Sequence, residues 1–193
     1  MTLPSIVVAP YEPSWQERGS ELCHDLRAAL GPLALRVEHI GSTAVSGMAA
    51  KPVFDLQVSV RDLAEAAAAF DSPLRDIGLV RRPFERDHVP AGRDDDPARW
   101  AKRFWGKAEP GGERINLHCR VAGSPNERLA LLFRDWLRAH ALAVTAYSRF
   151  KQALAATVND LEVYTDVKDP VVDLVIVAAE DWAEATGWTP AGP

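Results

Sequence analysis

The chain has 193 residues and a formal net charge of −5, with 47% apolar and 25% charged residues. This composition is typical of a globular protein with one sizeable core. The acidic balance argues against a nucleic-acid partner, because phosphate neutralisation needs a basic surface. The two cysteines, Cys23 and Cys119, lie in apolar patterns without metal-binding spacing. We also find no signal-peptide pattern and no apolar run of membrane-spanning length, so we expect a cytoplasmic protein without a membrane partner.

The N-terminal part of the chain predicts two strands with a helix between them. Residues 3–9 are typical of a short edge strand bounded by prolines. Ser14 and Glu17 have the spacing of a capping box, which marks the start of a helix. This helix should end at Gly31-Pro32, and residues 35–40 should form the next strand. One apolar stripe of the helix is expected to be buried, formed by Trp15, Leu22, Leu26 and Leu30.

Two later segments alternate strictly between apolar and polar residues, which indicates strands with two different faces. In residues 53–60 the polar face carries Asp55 and Gln57. In residues 114–121 the polar face is formed by Arg114, Asn116, His118 and Arg120. The pattern leaves two interpretations of this second face open. It is either a solvent-exposed sheet surface or the floor of an anion-binding cleft.

The chain between these two strands predicts helices over 63–70 and 72–77 and strands over 79–82 and 103–108, followed by a turn at Gly111-Gly112. Residues 85–99 are the most polar part of the chain, and their composition predicts a mobile surface loop. His88 and the run Asp94-Asp95-Asp96 offer a metal site as the alternative interpretation of this loop. The surface loop is favoured, because neighbouring like charges repel unless an ion is present.

The C-terminal third is predicted to be helical. Ser124 and Glu127 form another capping-box pattern before a first helix, and a second helix is expected over 142–158. A third should begin at Asp169-Pro170 and end at Gly187, with a buried stripe of Leu174, Val175, Ala178 and Trp182.

These elements predict an α/β (α+β) fold, a mixed β-sheet with flanking helices and a helical C-terminal third. No Pro/Gly/Ser-rich linker separates the parts, so we expect a single domain over residues 1–188. It comprises a mixed part over 1–122 and a helical part over 123–188, and residues 189–193 form a tail.

The loop over residues 41–51 has the features of a phosphate-binding element. Gly41-Ser42 follows a strand and begins a run of small residues, so backbone N–H groups and a hydroxyl can hold phosphate oxygens. Lys51 adds a point charge at the end of the loop. Asp55, on the following strand, can hold the Mg²⁺ ion that accompanies a nucleotide triphosphate. The spacing matches neither a Walker loop nor a Rossmann fingerprint.

The segment from Val37 to Leu56, with Gly-Ser-Thr-Ala-Val followed by Lys-Pro-x-x-Asp, resembles the signature of the GrpB family. The resemblance continues through Asn116-Leu117-His118 and residues 133–140, and it extends over nearly the whole chain. Later landmarks that match are Tyr147, Lys151, Tyr164-Thr165 and Lys168. The family is similar to a branch of the nucleotidyltransferase superfamily of the DNA polymerase beta type. A similar module also occurs fused to dephospho-coenzyme A kinases.

The sequence departs from the superfamily pattern where the metal-binding acids should lie. Gly41-Ser42 and Asp55 match, but Gln57 occupies the place of the second acid. The strand that usually supplies the third acid carries Asn116 and His118 instead, and Ser46 stands where the family usually has proline. Two-metal transfer needs several carboxylates, so the resemblance implies an intact phosphate-binding element with an incomplete metal centre.

The resemblance therefore implies a site with two groups of residues. Asp55 and His118 are candidates for catalysis and for holding Mg²⁺ or Mn²⁺, with His118 acting as a base or as a ligand. The candidates for binding a nucleotide or another phosphate-bearing small molecule are Gly41, Ser42, Thr43, Lys51, Arg120 and Arg134. Three functions stay open: a nucleotidyl or phosphoryl transferase acting on a small molecule or protein, a non-catalytic nucleotide- or coenzyme A-binding module, and a structural protein. The oligomeric state is also open.

Overall fold

A computed structural model describes residues 6–108 and 112–191 of the chain. The first residues of the edge strand expected over 3–9, part of the Gly111-Gly112 turn and the last two residues of the tail lie outside these ranges. Within the expected edge strand, residues 6–8 are not in a strand, and Ala9 forms a single antiparallel bridge with Ala50.

The centre of the fold is a mixed five-stranded sheet, with strands in the order β1-β2-β5-β4-β3. The central pair β2 and β5 is parallel, and the other neighbouring pairs are antiparallel. The α+β class and the mixed sheet are thereby confirmed. The strands are β1 (Arg36–Ile40), β2 (Phe54–Val60), β3 (Val80–Arg82), β4 (Lys102–Ala108) and β5 (Arg114–Val121).

Five α-helices flank this sheet in the described residues, three of them in the C-terminal third. They are α1 (Ser14–Leu30), α2 (Leu63–Asp76), α3 (Pro125–Ala139), α4 (Ala141–Thr157) and α5 (Leu161–Thr186). A short 3₁₀ turn, Ser42–Ala44, follows β1, and another, Pro97–Trp100, precedes β4. No helix within the described part of the chain is both long and apolar enough to cross a membrane.

The two faces of the sheet are covered by different helices. The apolar face, which includes Leu56 and Leu117, packs with α1 and α2 into the main hydrophobic cluster. The polar face is also covered, because Gln57 is fully buried and donates a hydrogen bond from Nε2 to the carbonyl of Glu127 in α3. Ser59 donates from Oγ to the Glu127 carboxylate at 2.6 Å. The interpretation of this face as an open sheet surface is therefore excluded.

Two helix starts differ from the capping-box predictions. Pro13 occupies the N-cap of α1, and no side chain caps that helix. At α3, the Ser124 hydroxyl donates to the carbonyl of Val121, so it does not cap the first turn. The Glu127 carboxylate instead pairs with Arg36 and Ser59 under the sheet. A buried charge partner takes precedence over a local cap, because an unpaired buried charge costs more free energy than a missing cap.

Two helices are longer than predicted, and both contain an internal proline. The stretches expected over 63–70 and 72–77 form the single helix α2, which includes Pro73. Helix α5 begins near Asp160, whose side chain accepts hydrogen bonds from two backbone N–H groups of the first turn. The prediction that α5 begins at Asp169-Pro170 is wrong, because the earlier cap already starts the helix.

The buried stripe predicted for α5 is also wrong at several positions. Leu174 is 70% exposed, and Ala178 is exposed as well. The residues of α5 that pack into the C-terminal cluster with full burial are Ile176, Ala179 and Ala183. The buried residues Ile176, Ala179 and Ala183 follow the i, i+3, i+7 spacing of one helix face, and the predicted stripe lies to one side of this face.

Candidate functional site

A cleft of about 450 Å³ opens at the edge of the polar sheet face. It is bounded by the loop after β1, the strands β2 and β5, the segment 86–90 and parts of α3, α4 and α5. Five residues predicted for the site line it: Gly41, Ser42, Asp55, His118 and Arg120. The structure therefore brings the predicted glycine-serine loop, the acid and the histidine together.

The parallel pairing of β2 and β5 explains how the polar residues meet. In this register Asp55 lies opposite Asn116, and Gln57 lies opposite His118. Asn116 Nδ2 donates to Asp55 Oδ1 at 2.8 Å. His118 Nε2 lies 3.9 Å from the same oxygen, which is too long for a direct hydrogen bond.

Asp55 is held as a carboxylate by its neighbours. Burial alone would raise its pKa, but His118, the Asn116 hydrogen bond and the charge of Lys168 together lower the pKa below its usual value. Gly41 leaves the space that the Asp55 carboxylate occupies. Its φ is 71°, and a Cβ added to Gly41 would lie 2.5 Å from Asp55 Oδ2. The glycine is therefore required both by backbone conformation and by space.

Three lysines surround the serine end of the cleft. Lys151 Nζ, on α4, donates to Ser42 Oγ at 2.8 Å, and the residue is only 3% exposed. Lys168 of α5 lines the cleft, and Lys51 Nζ lies 4.7 Å from the centre of the Tyr164 ring. Among the described residues, no carboxylate oxygen lies within 4.0 Å of any of these three ammonium groups.

The lysines perturb one another's protonation. Burial and then repulsion by Lys168 lower the pKa of Lys151 to about 7, and the same two causes lower the pKa of Lys51 to about 8. An anion bound between these groups would relieve both effects. Asp55 opposes part of this effect through its charge, and Lys151 Nζ also lies 4.8 Å from the centre of the Tyr147 ring, but neither lysine has a direct ion pair within the described residues. Several lysines without direct ion pairs, beside a hydroxyl, are typical of a phosphate-binding site.

The other end of the cleft is internally neutralised. Asp87 accepts hydrogen bonds from Lys102 Nζ at 2.6 Å, Arg120 Nε at 2.8 Å and Asn126 Nδ2 at 2.9 Å. Burial opposes ionisation of Asp87, but Arg120 and Lys102 outweigh it and hold its pKa well below the usual range. The segment predicted as a mobile surface loop therefore carries a residue that is fixed in the cleft wall.

The same segment is also tied to α5. His88 Nε2 lies 2.8 Å from an oxygen of Asp173, and the backbone N–H of Ala91 donates to the other oxygen of that carboxylate. In the described part of the chain no group of three or more His, Cys, Asp or Glu side chains is arranged to hold a metal ion.

His118 is held in a fixed position on the floor of the cleft. Burial, followed by the charge of Arg120, lowers its pKa to about 4, so the imidazole is neutral at pH 7. Arg120 Nη2 lies 3.2 Å from His118 Nδ1, and the edge of the ring contacts Phe104 at 4.9 Å between centroids.

Three predicted phosphate-binding residues do not line the cleft. Lys51 stacks on Tyr164 just outside it. The Thr43 hydroxyl is buried, where it donates to the carbonyl of Val53 at 3.1 Å and contacts His39 Nε2 at 2.9 Å. Arg134 is buried in an ion pair with Glu38 at 2.7 Å and donates to a backbone carbonyl of β1. The contacts of Thr43 and Arg134 position the loop after β1 and its strand.

Sequence reasoning gave no site role to several residues that line the cleft or, in the case of Lys151, contact its lining. Lys151, Tyr147 and Lys168 were family landmarks without a role, and Asp87 and Lys102 were not singled out. The spacing of Tyr147 and Lys151 places both on the buried face of one helix, which was the available signal. A lysine on a buried helix face needs a partner or a ligand.

The residues present do not fit a two-metal centre. Asp55 has one oxygen engaged by Asn116, and both oxygens of Asp87 are engaged by cations or an amide. Two Mg²⁺ ions need several free carboxylate oxygens between them. Asp55 keeps one oxygen without a side-chain hydrogen bond in the described part of the chain, so a single Mg²⁺ could be held there together with phosphate and water oxygens.

The chain is similar to proteins of three descriptions. It is 37% identical to a dephospho-CoA kinase of Mycolicibacterium paratuberculosis over 95% of this chain and 48% of that protein, so it spans about half of that relative's length. It is 32% identical to the UPF0157 protein BH1888 of Halalkalibacterium halodurans, over 91% of this chain and 83% of that protein. The crystal structure of conserved protein GrpB from Enterococcus faecalis superposes with a TM-score of 0.74 at 27% identity, covering 91% of this chain and 99% of that one.

A family model described as GrpB protein matches residues 5–177. This match and the relative from Halalkalibacterium halodurans show that the chain belongs to the GrpB family.

Proposed function

We propose that this protein binds the phosphate chain of a nucleotide or of a coenzyme A-related molecule in the cleft between the Gly41-Ser42 loop and helices α4 and α5. The observation that carries the proposal is the contact between Lys151 and Ser42. The buried Lys151 ammonium group donates to a hydroxyl, and within the described residues it has no direct ion pair, although the charge of Asp55 acts on it. A phosphate group is the counterion that fits this arrangement.

The electrostatics of the cleft support binding of several phosphates rather than one. Lys151, Lys168 and Lys51 act on the same region, since each pKa shift of Lys51 and Lys151 includes repulsion from Lys168. Asp55 lies beside this region and is ionised. A phosphate chain carrying one Mg²⁺ would satisfy the lysines through its outer oxygens and Asp55 through the ion.

The proposal extends to coenzyme A-related ligands because of the relatives. Dephospho-CoA kinases contain a segment 37% identical to this chain. The segment corresponds to half of those proteins, so their kinase activity is not transferred to this chain. Dephospho-coenzyme A, coenzyme A and ATP are nevertheless the first ligands to test, since each carries a phosphate chain.

Binding is tested by thermal shift and by calorimetry with inorganic tripolyphosphate, ATP, dephospho-coenzyme A and coenzyme A, each with and without Mg²⁺. A ligand that binds only the folded state raises its melting temperature by mass action. We expect stabilisation by at least one of these compounds in the unaltered protein and a much smaller effect in Lys151→Met. The control is Arg149→Met, an exposed position of the same helix. If none of the four compounds stabilises the protein, the proposal is wrong.

A second candidate function is transfer of a nucleotidyl or phosphoryl group to a small molecule or a protein. The observation that favours it is the ionised Asp55 next to the phosphate-binding end, where one metal ion could polarise a phosphoryl oxygen. Incubation with ATP and Mg²⁺ followed by mass spectrometry would detect a nucleotidylated or phosphorylated product. We expect that product to disappear in Asp55→Asn, and its persistence there would exclude the role of Asp55.

A further inference from the structure

Arg120 lies between three side chains, each of which accepts one of its hydrogen bonds. Nε donates to Asp87 at 2.8 Å, and Nη1 donates to Gln57 Oε1 at 2.5 Å. Nη2 lies 3.2 Å from His118 Nδ1. Arg120 as a whole residue is 6% exposed, so solvent does not compete strongly for these contacts.

The contact with His118 has only one chemical interpretation. A guanidinium group carries N–H donors and no acceptor, so His118 Nδ1 must accept. A neutral imidazole that accepts at Nδ1 carries its hydrogen on Nε2. We infer that Arg120 fixes His118 as the Nε2–H tautomer and thereby makes it a hydrogen-bond donor to an oxygen of the bound ligand.

The geometry on the Nε2 side leaves room for that oxygen. His118 Nε2 is 3.9 Å from Asp55 Oδ1, and that oxygen already accepts from Asn116. The distance is too long for a direct hydrogen bond, but His118 lines the open cleft. The group recognised here is a hydrogen-bond acceptor, such as a phosphoryl oxygen of the ligand proposed above.

This assignment distinguishes His118 from a base and from a metal ligand. Both of those roles need a free imidazole lone pair. The Nδ1 lone pair faces Arg120, and Nε2 carries the hydrogen. Moving the hydrogen to Nδ1 would set two donors against each other at 3.2 Å, so the arginine opposes either role.

The inference also gives the amide of Gln57 a purpose at the position where the superfamily has an acid. Its oxygen accepts from Arg120, and its nitrogen donates to the carbonyl of Glu127 at 3.2 Å. A carboxylate could accept from the arginine but could not donate to Glu127. Gln57 and Asp87 are therefore positioning residues for Arg120, and Arg120 is a positioning residue for His118.

The tautomer is measured directly by long-range ¹H–¹⁵N NMR correlation on ligand-free protein labelled at histidine. The five histidine rings are distinguished by substitution, with His118 assigned from its loss in His118→Gln. We expect His118 to show a protonated Nε2 and an unprotonated Nδ1. A protonated Nδ1 with an unprotonated Nε2 would overturn the inference.

Two substitutions test the role of the arginine. Arg120→Met should replace the single tautomer by a mixture, and Arg114→Met, an exposed position on the same face of β5, should leave it unchanged. Arg120→Lys is measured in parallel, because it keeps a donor and a charge should the methionine variant fail to fold. The lysine side chain is shorter than that of arginine, so Arg120→Lys should keep the charge but lose the hydrogen bond to the His118 ring, and it should also give a mixture of tautomers. A single, unchanged tautomer in either variant would contradict the positioning role.

Ligand binding tests the donor role and rests on the proposed function. With tripolyphosphate or whichever proposed ligand binds, His118→Leu should weaken affinity by about tenfold or more, the usual effect of losing a hydrogen bond to a charged oxygen. His118→Gln places an amide donor near the Nε2 position and should stay within about threefold of the unaltered protein. Equal losses in both variants would exclude the donor role. Absence of binding to the unaltered protein would instead reject the proposed function, while the tautomer is still decided by NMR.

Discussion

Lys151 Nζ and Ser42 Oγ lie 2.8 Å apart although 109 residues separate them in the chain. The contact joins helix α4 to the loop after β1, and it places a buried lysine against the serine of this loop. Burial and the nearby charge of Lys168 lower the pKa of Lys151 to about 7. Burial of its charge should therefore oppose folding of the ligand-free protein, whereas the same charge should stabilise the complex with the proposed anionic ligand.

The first prediction follows from this double role of Lys151. In the ligand-free protein Lys151→Met should not lower stability at pH 7, because it removes a buried charge and keeps the length of the side chain. The same substitution should weaken binding of tripolyphosphate by about tenfold or more. Urea unfolding and calorimetry measure the two effects, and Arg149→Met serves as the control for both. A large loss of stability without a loss of affinity would contradict the assigned role.

A second prediction concerns the pH dependence of ligand binding. Above pH 7 the free protein has lost most of the proton on Lys151, and near pH 8 it loses that on Lys51. Binding of an anion then requires proton uptake, so affinity should fall as the pH rises from 7.5 to 9, by up to about tenfold per pH unit for each proton. Below about pH 6 both groups are already charged, and this contribution is constant.

The matched variant for that measurement is Lys151→Arg. Arginine keeps its charge over the whole range, so the decline in affinity should become clearly less steep. Ionisation of the ligand is the same for both proteins and cancels in the comparison. An identical pH profile for the two proteins would exclude Lys151 as the titrating group.

The third prediction concerns Gly41, where backbone conformation and space act together. Gly41→Ala would put a Cβ 2.5 Å from Asp55 Oδ2 at a φ of 71°. We expect a loss of more than about 2 kcal/mol in the free energy of unfolding, together with loss of ligand binding.

Gly31→Ala separates the two causes. Gly31 has a φ of 64°, but no atom lies within 4 Å of its added Cβ. Its ψ of −153° places it, like Gly41, in a region that is essentially restricted to glycine, so its cost should be the backbone term alone, about 1–3 kcal/mol, and smaller than that of Gly41→Ala. Denaturant unfolding of both variants gives the difference, and equal losses would show that the contact with Asp55 is unimportant.

The floor of the cleft was predictable from the sequence because it depends on a local pattern. Strict alternation in two segments placed Asp55, Gln57, Asn116 and His118 on polar strand faces, and the glycine-serine loop marked the turn before them. What the pattern lacked was the pairing. Parallel contact between β2 and β5 puts Asp55 opposite Asn116, and this register is set by the crossover between the strands rather than by either strand.

The contacts that sequence reasoning did not anticipate involve partners that are distant in the chain. Arg134 was expected to bind phosphate, but its partner Glu38 is 96 residues away. Asp87 lies in a segment whose composition is that of an exposed loop, and its partner Arg120 belongs to the central strand β5. The local sequence shows that such a residue is charged, but it does not show which oppositely charged side chain pairs with it in the fold. The start of α5 is a different case, because its cap is local: Asp160 accepts from two backbone N–H groups of the first turn, and the proline at 170 lies inside the helix.

A fourth prediction concerns the ion pairs of Asp87, which hold Arg120 in place. Asp87→Asn leaves Lys102 and Arg120 buried without a carboxylate, and breaking a buried pair in this way typically costs about 3–5 kcal/mol. Asp94→Asn is the control, since Asp94 is an exposed residue of the same segment and should change stability by less than about 0.5 kcal/mol. Both are measured by urea unfolding at pH 7.

The pH dependence identifies the carboxylate as the cause. The pKa of Asp87 is lowered on folding, so its stabilising contribution is fully present above its unfolded-state pKa of about 4. As the pH falls below that value, Asp87 becomes protonated in the unfolded chain but stays ionised in the folded protein, so its contribution to the free energy of unfolding decreases. The stability difference between the unaltered protein and Asp87→Asn should therefore be constant from pH 7 to 5 and shrink toward pH 3. A difference that does not change over this range would mean that the lost stability comes from the shape of the side chain rather than from its charge.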